Sequence, residues 1–205
     1  MKLSRLLACC VAAACTAVAV DLYRPTASNL YDFDGHEVGR LETEMWKKYY
    51  AKRHFALFAD LATTHRLQFG QSWPRAYLTA YYAARAAFIF QEGKDRNGYA
   101  KATPALRTCY ESVLPAGAQV ERVAELELEW WILHRERAGK PLVQALAGLQ
   151  AEIYRLPVER MTEHAQLRAE AMRLCDAGGD WVEIGKLLDR SWTALSVEVN
   201  RTSRR

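Results

Sequence analysis

Apolar residues recur at helical spacing through the body of this chain, and this pattern limits the fold more than any other feature. No stretch alternates apolar and polar residues over the length that a half-buried strand requires. Short turns with Gly or Pro separate the helical segments, and such turns place consecutive helices antiparallel. The sequence therefore predicts an all-α fold of about seven helices in antiparallel hairpins.

Gly and Pro also mark where each helix is expected to begin and end. The predicted helices cover residues 37–68, 73–91, 99–113, 118–138, 141–156, 158–175 and 181 onward, with a break in the first helix near residues 51–54. A linker over residues 20–36 precedes this helical domain of residues 37–200, and a basic tail over residues 201–205 follows it. The 205 residues are therefore expected to form one folded domain with short appendages.

The first 19 residues have the pattern of a targeting segment. Lys2 and Arg5 precede fifteen uncharged residues, 6–20, and residues 17–19 are Ala-Val-Ala, which is typical of a signal peptidase site. Because a spanning helix needs about 20 apolar residues, the run favours a cleaved signal peptide. An uncleaved anchor and a lipoprotein modified at Cys15 are the alternatives. Each of the three places the domain outside the cytoplasm, in the periplasm or at the cell membrane.

Charge and composition exclude several classes of protein. Half of the residues are apolar, which excludes intrinsic disorder. The net charge of +4 falls to +2 when Lys2 and Arg5 are removed with residues 1–19, because 26 basic residues then face 24 acidic ones. So small a charge does not favour a nucleic-acid partner. Cys109 and Cys175, the two cysteines outside the targeting segment, lie on apolar helical faces and are expected to be buried free thiols.

Arg85 is the only charged residue between residues 76 and 90, in the most apolar of the predicted helices. A helix that is apolar on all sides is expected at the centre of a fold, where an arginine stays charged and needs a carboxylate partner. Glu42 and Glu127 are the candidate partners. The sequence therefore predicts a buried ion pair between Arg85 and one of these two glutamates.

Other polar and aromatic residues share helical faces with the two glutamates. The candidate set comprises Glu42, Trp46 and Tyr49 on one face, Glu127, Trp131 and His134 on another, and Arg85. Three interpretations of this set remain open. It forms a satisfied network that fixes helix register, a pocket for a small polar ligand, or an acid–base pair of the glutamate and the histidine on the second face.

The spacings that several known catalytic and metal sites require do not occur in the sequence. The Glu-x-x-His pairs of di-iron proteins, the His-Glu-x-x-His zinc motif, the G-x-S-x-G elbow and the P-loop are all missing. No C-x-x-C pattern suggests structural zinc. The sequence therefore predicts no metal and no cofactor, and it favours a non-enzymatic role over an enzyme.

Three segments repeat the order of a Gly, an aromatic residue or Pro, a small or apolar residue, and a Leu. They begin at Gly93, Gly139 and Gly179. The repeat resembles degenerate tetratricopeptide-type helical hairpins over residues 74–197, and a plain helical bundle is the alternative. Residues 41–50, 83–88 and 127–131 also resemble an uncharacterised group of exported or membrane-anchored bacterial helical proteins. That second resemblance implies a compartment and a fold, and no activity.

Aromatic residues at helical spacing are typical of a core, and in a helical array they also line grooves for partners. We therefore expect an exported, non-enzymatic envelope protein that binds a protein partner through a helical groove. The alternative is a small-molecule-binding protein or a hydrolase that uses the glutamates, the arginine and the histidine of the candidate set. Membrane contact is expected only through the N-terminal segment, and no nucleic-acid partner is expected.

Overall fold

The computed structural model describes residues 2–23 and 30–203. Regular structure in these residues is entirely helical, which confirms the predicted all-α class. The helices are α1 (Lys2–Tyr23), α2 (Gly35–Tyr50), α3 (His54–Phe69), α4 (Trp73–Glu92), α5 (Arg96–Ala100), α6 (Thr103–Glu111), α7 (Val120–Arg135), α8 (Gly139–Tyr154), α9 (Thr162–Asp176) and α10 (Trp181–Ser203), with a 3-10 turn at Val158–Met161.

Most predicted helix boundaries agree with the structure, and the differences lie at the turns. The expected break near residues 51–54 separates α2 from α3, with Lys52 in the left-handed region at a φ of 55°. The helix expected over residues 99–113 is divided into the short α5 and the longer α6. Of the ten α-helical segments within the described residues, α1 lies in the targeting segment, and nine replace the seven that were expected, because short turns interrupt two of the longer periodic stretches.

Side-chain caps, proline and glycine explain several helix ends. The carboxylate of Asp34 accepts a hydrogen bond from the backbone N–H of His36 at 2.9 Å and thereby caps α2. Pro74 lies in the first turn of α4, where its missing N–H costs no helical hydrogen bond. Gly70 ends α3 in the left-handed region at a φ of 62°, which glycine adopts without strain.

The long helices of the domain form a closed circuit of pairwise contacts, and their buried apolar residues form three clusters. Each packs on the next along the chain, in the order α2, α3, α4, α6, α7, α8, α9 and α10, and α10 packs back on α2. The core at the centre includes Val38, Leu146, Leu149, Tyr154 and Leu195, all almost completely buried. The circuit brings the two ends of the domain together, so residues far apart in sequence meet between α2, α9 and α10.

The contact between α2 and α10 is a close approach of two backbones. A β-carbon added at Gly39 would lie 2.8 Å from the Cα of Asp189, and one added at Gly35 would collide with the carbonyl of Trp192. Glycine at both positions lets the helices approach until their backbones touch. This contact fixes the position of the residues on α2 and α10 that face the interior.

Residues 30–34 differ from the predicted linker, because they belong to the packed domain. Leu30 and Phe33 are buried, and Phe33 stacks on Tyr154 with 5.9 Å between the ring centroids. The remainder of that linker, residues 24–29, lies outside the described residues, as do residues 204–205 of the predicted tail. Residues 201–203 of that tail continue α10.

Helix α1 extends from the domain with its apolar side chains exposed. Its window Leu6–Tyr23 has 18 residues, a mean hydropathy of 2.0 and no buried residue, so its length and composition would allow it to cross a membrane. A signal sequence has the same properties. The last turn of the helix contacts the domain: the Asp21 carboxylate accepts from the Ser72 hydroxyl, and Arg75 Nε donates to the Asp21 carbonyl at 2.9 Å.

Candidate functional site

Glu42 takes part in a buried ion pair, but its partner is Arg168 and not the predicted Arg85. Glu42 on α2 is 4% exposed, and its Oε1 accepts from Arg168 Nε at 3.1 Å and from Arg168 Nη2 at 2.6 Å. The second oxygen of Glu42 accepts from the indole N–H of Trp192 on α10. The pair therefore links α2, α9 and α10 at the point where the circuit closes.

Glu127 adds a second carboxylate to the same region. Its two oxygens accept from the Tyr110 hydroxyl at 2.8 Å and from the Trp131 indole N–H at 2.9 Å. Burial alone would lower the pKa of Arg168, but the nearby charges of Glu42 and, to a smaller extent, Glu127 raise it above its ordinary value. Arg168 is therefore held charged between two carboxylates.

Aromatic rings enclose the Arg168 guanidinium. Its central carbon lies 4.9 Å from the ring centroid of Trp130 and 5.9 Å from that of Trp192. Rings at this distance attract a cation and exclude water, which strengthens the charge–charge interaction with Glu42. We refer to Glu42, Tyr110, Glu127, Trp130, Trp131, Arg168 and Trp192 as the Arg168 network.

Arg85 lies outside the Arg168 network, and the prediction that it is buried is wrong. Its side chain is exposed on α4, and no carboxylate among the described residues pairs with it. The apolar composition of α4 suggested a central helix, but α4 contacts its neighbours with one side and exposes the other. The spacing of His164, Arg168 and Met172 on one face of α9 was the signal in the sequence that could have identified Arg168.

The remaining candidate residues have separate positions. Trp46 is half-buried against the core, whereas Tyr49 is exposed and packs edge-on against Tyr50. His134 bonds to Asp176 at 3.2 Å and takes no part in the Arg168 network. Because seven residues of helix separate it from Glu127 by about 10 Å, the two cannot share a proton directly. The acid–base interpretation of these two residues stays a prediction.

His164 is a buried histidine beside the Arg168 network. The Ser191 hydroxyl donates its proton to the His164 carbonyl at 2.9 Å. His164 Nδ1 therefore carries a proton and donates to Ser191, with 2.9 Å to the Ser191 Oγ and 3.1 Å to the Ser191 carbonyl oxygen. Burial, and next the charge of Arg168, lower the pKa of His164 to about 3. The imidazole is therefore neutral, and its contacts join α9 to α10.

His65 on α3 makes the free energy of unfolding depend on pH, and a single substitution should remove this dependence. Burial lowers its pKa to about 4, and neither ring nitrogen has a hydrogen-bond partner within the described part of the chain. Below its unfolded pKa of about 6.5, the unfolded chain binds a proton that the folded chain excludes, so stability falls as the pH drops from 6.5 towards 4. At about pH 5 this effect costs about 2 kcal/mol.

We expect His65→Leu to remove that loss. Urea unfolding of both proteins at about pH 7.5 and about pH 5 measures this loss. Between the two pH values, the free energy of unfolding of the parent should fall by about 2 kcal/mol more than that of the variant. Equal losses in the two proteins would show that His65 is not buried as a neutral ring.

The polar groups of the Arg168 network mostly satisfy one another. The Glu42 carboxylate accepts three hydrogen bonds and the Glu127 carboxylate accepts two, whereas the Trp130 indole N–H has no partner among the described residues. A cavity of about 490 Å³ lies elsewhere, where α1 meets α4 and residues 112–118, and none of the predicted site residues lines it. No three His, Cys, Asp or Glu side chains in residues 2–23 and 30–203 are placed to bind a metal ion. These observations favour a network that fixes helix register.

A row of large aromatic side chains lies exposed on α4 instead. Trp73 is 45% exposed, Tyr81 52% and Phe88 52%, and Tyr77 between them is exposed to a similar degree. With Arg85, these four residues lie within an arc of about 120° on the helix. We refer to Trp73, Tyr77, Tyr81, Arg85 and Phe88 as the α4 surface.

Residues of α3 extend the α4 surface on one side. Phe58 stacks on Tyr77 with 6.1 Å between ring centroids, and Arg66 lies 5.0 Å above the Trp73 ring. Phe55 is 95% exposed at the far end. The aromatic residues at helical spacing therefore divide between the core, where Trp192 is buried, and the surface, where Trp73 and Tyr81 face solvent. Contiguous exposed aromatic side chains of this kind mark interaction surfaces.

Comparison with protein family models, with curated proteins and with solved structures finds no match to this chain. The functional assignment therefore rests on the two features described above. The Arg168 network is buried at Glu42 and Trp192 and half-buried at its other residues, whereas the α4 surface is exposed and aromatic.

Proposed function

We propose that this chain is a non-enzymatic envelope protein that is exported or held at a membrane by α1 and binds a protein partner. The α4 surface is the binding face. The observation on which the proposal rests is that α4 exposes Trp73, Tyr77, Tyr81 and Phe88 together. Tryptophan and tyrosine dominate the binding energy of protein interfaces, because each buries a large area with few rotatable bonds.

The arrangement of the domain supports an outer binding face. Because α10 packs on α2, the helices close on themselves, which favours a closed bundle over an open tetratricopeptide-like array with a concave inner groove. The interior between the helices contains the packed core and the Arg168 network. The groove that the sequence suggested is therefore assigned to the outside of α3 and α4, where Phe58 and Tyr77 meet.

The exposed length of α1 supports the location. An apolar helix of 18 unburied residues is stable in a lipid bilayer or as a signal segment awaiting cleavage. Its last turn is bonded to Ser72 and Arg75, next to Trp73. If α1 is retained, the α4 surface therefore begins beside the membrane, where an envelope partner is accessible.

Crosslinking in cells tests the proposed function. Affinity-tagged protein is crosslinked with formaldehyde, purified separately from soluble and membrane fractions, and analysed by mass spectrometry for its N-terminus and its neighbours. We expect a reproducible protein partner whose crosslinks map to α3 and α4. An N-terminus at Val20 would indicate an exported soluble protein, and an intact α1 in the membrane would indicate an anchor. Absence of any protein partner from both fractions would contradict the proposed function and favour a small-molecule ligand.

A further inference from the structure

Arg85 occupies a distinctive position in the α4 surface. It follows Trp73, Tyr77 and Tyr81 in steps of four residues, so all four lie on adjacent turns of one side of α4. The positions that could place an acid beside it on the helix, three and four residues away, are Tyr81, Tyr82, Phe88 and Ile89. A helix neighbour therefore cannot neutralise the charge of Arg85.

Several other cations on the surface are paired with an acid of their own helix, although exposed cations such as Arg190 have no ion pair among the described residues. Arg40 Nε donates to Glu37 at 2.8 Å, Arg173 Nε donates to Glu170 at 2.8 Å, and Lys186 donates to Glu183 at 2.7 Å. Arg85 has no ion pair with any residue in the described part of the chain, and the stretch of α4 from Trp73 to Gln91 contains no acidic residue. The α4 surface thus presents an aromatic row with an uncompensated guanidinium inside it.

The position of the charge favours a protein over a lipid surface as the occupant. Helices that lie on membranes separate their aromatic and cationic residues into opposite faces and are rich in Lys and Arg on the polar face. On α4, Arg85 lies on the same side of the helix as the aromatic row, and Arg75 is the other cation of the helix. Tryptophan, tyrosine and arginine on one face are the combination that protein interfaces concentrate at their centres.

We propose that Arg85 selects the partner by pairing with a carboxylate in an otherwise apolar segment of the partner protein. This inference rests on the proposed function. Apolar side chains of the segment pack on Tyr77, Tyr81 and Phe88, and an Asp or Glu lies among them. The planar guanidinium donates two parallel hydrogen bonds to that carboxylate, an arrangement that lysine cannot reproduce. The partner is thus an acidic, apolar protein segment.

Site-specific photocrosslinking in cells tests the inference. The full chain is produced with p-benzoylphenylalanine in place of Tyr81, and adducts are quantified after irradiation. We expect a discrete protein adduct, reduced at least about tenfold by Arg85→Glu and less by Arg85→Lys. Arg190→Glu is the matched control, because Arg190 is likewise exposed, on α10. It should leave the adduct unchanged. All variants should melt within a few degrees of the parent, since Arg85 and Arg190 are exposed and neither has an ion pair among the described residues.

The outcomes separate the inference from the proposed function. A protein adduct that Arg85→Glu leaves unchanged would overturn the role of Arg85 and leave the α4 surface as the binding face. Lipid adducts alone, or no adduct, would overturn the inference and the proposed function together. Once mass spectrometry identifies the crosslinked segment, changing its carboxylate to Arg should restore the adduct with Arg85→Glu. Failure of this exchange at every carboxylate in the segment would also overturn the pairing.

Discussion

Replacing Glu42 with alanine is expected to lower the free energy of unfolding by about 3–5 kcal/mol. The substitution leaves the buried Arg168 without the carboxylate that accepts two of its hydrogen bonds, and it leaves the Trp192 indole N–H without an acceptor. In a domain of this size, each kcal/mol shifts the melting temperature by about 2–4 °C. Urea and thermal unfolding should therefore show a loss of about 10 °C or more.

Glu44→Ala is the matched control for this prediction. Glu44 lies two residues away on the same helix, but it is partly exposed and pairs only with Lys47. An exposed pair of this kind contributes about 1 kcal/mol at most. If Glu42→Ala and Glu44→Ala lowered the free energy of unfolding by equally small amounts, Glu42 would not be part of a buried ion pair.

Adding Arg168→Met to Glu42→Ala should recover part of the lost free energy of unfolding, because no unpaired charge then remains buried.

The second large effect is expected at the contact between α2 and α10. Gly39→Ala should lower the free energy of unfolding by about 1–3 kcal/mol, because the added methyl group meets the backbone at Asp189, which cannot move alone. Gly148→Ala on α8 makes the same substitution where the new β-carbon meets only the Leu126 side chain at 3.6 Å. Alanine there should stabilise the helix by about 0.5–1 kcal/mol.

Chemical unfolding of the two alanine variants measures this difference, which should be about 3 kcal/mol. The opposite signs matter more than the sizes, since both substitutions are equally favourable for an isolated helix. A stabilising effect of Gly39→Ala would show that α2 and α10 do not approach as closely as described.

The sequence predicts the helices well because their ends depend on local chemistry. Pro74, Gly70 and the turn at residues 51–53 act within a few residues of themselves, so a single sequence contains the information. Glu42 was identified as a buried acid for a similar reason: it lies on the apolar face of its own helix.

The assignment of Arg85 failed because it depends on which helix is central. Periodicity shows which face of a helix is apolar, but α4 is apolar on nearly every side, and its packing against α3 and α6 cannot be read from periodicity. The partner of Glu42 lies 126 positions away, on α9. Sequence spacing gives no information about such a pair, although it does place Arg168 on an apolar face. The same ambiguity concealed the α4 surface, since exposed and buried aromatic residues have the same spacing.

The most direct test of binding through the α4 surface is the recovery of the crosslinked partner with the double variant Tyr77→Ala/Tyr81→Ala. The measurement is made beside Tyr49→Ala, which removes an exposed tyrosine from α2. We expect the double variant to keep the melting temperature of the parent within a few degrees and to recover at least about tenfold less partner, whereas Tyr49→Ala recovers as much as the parent. Undiminished recovery with a correctly folded double variant would contradict the assignment of the α4 surface as the binding face.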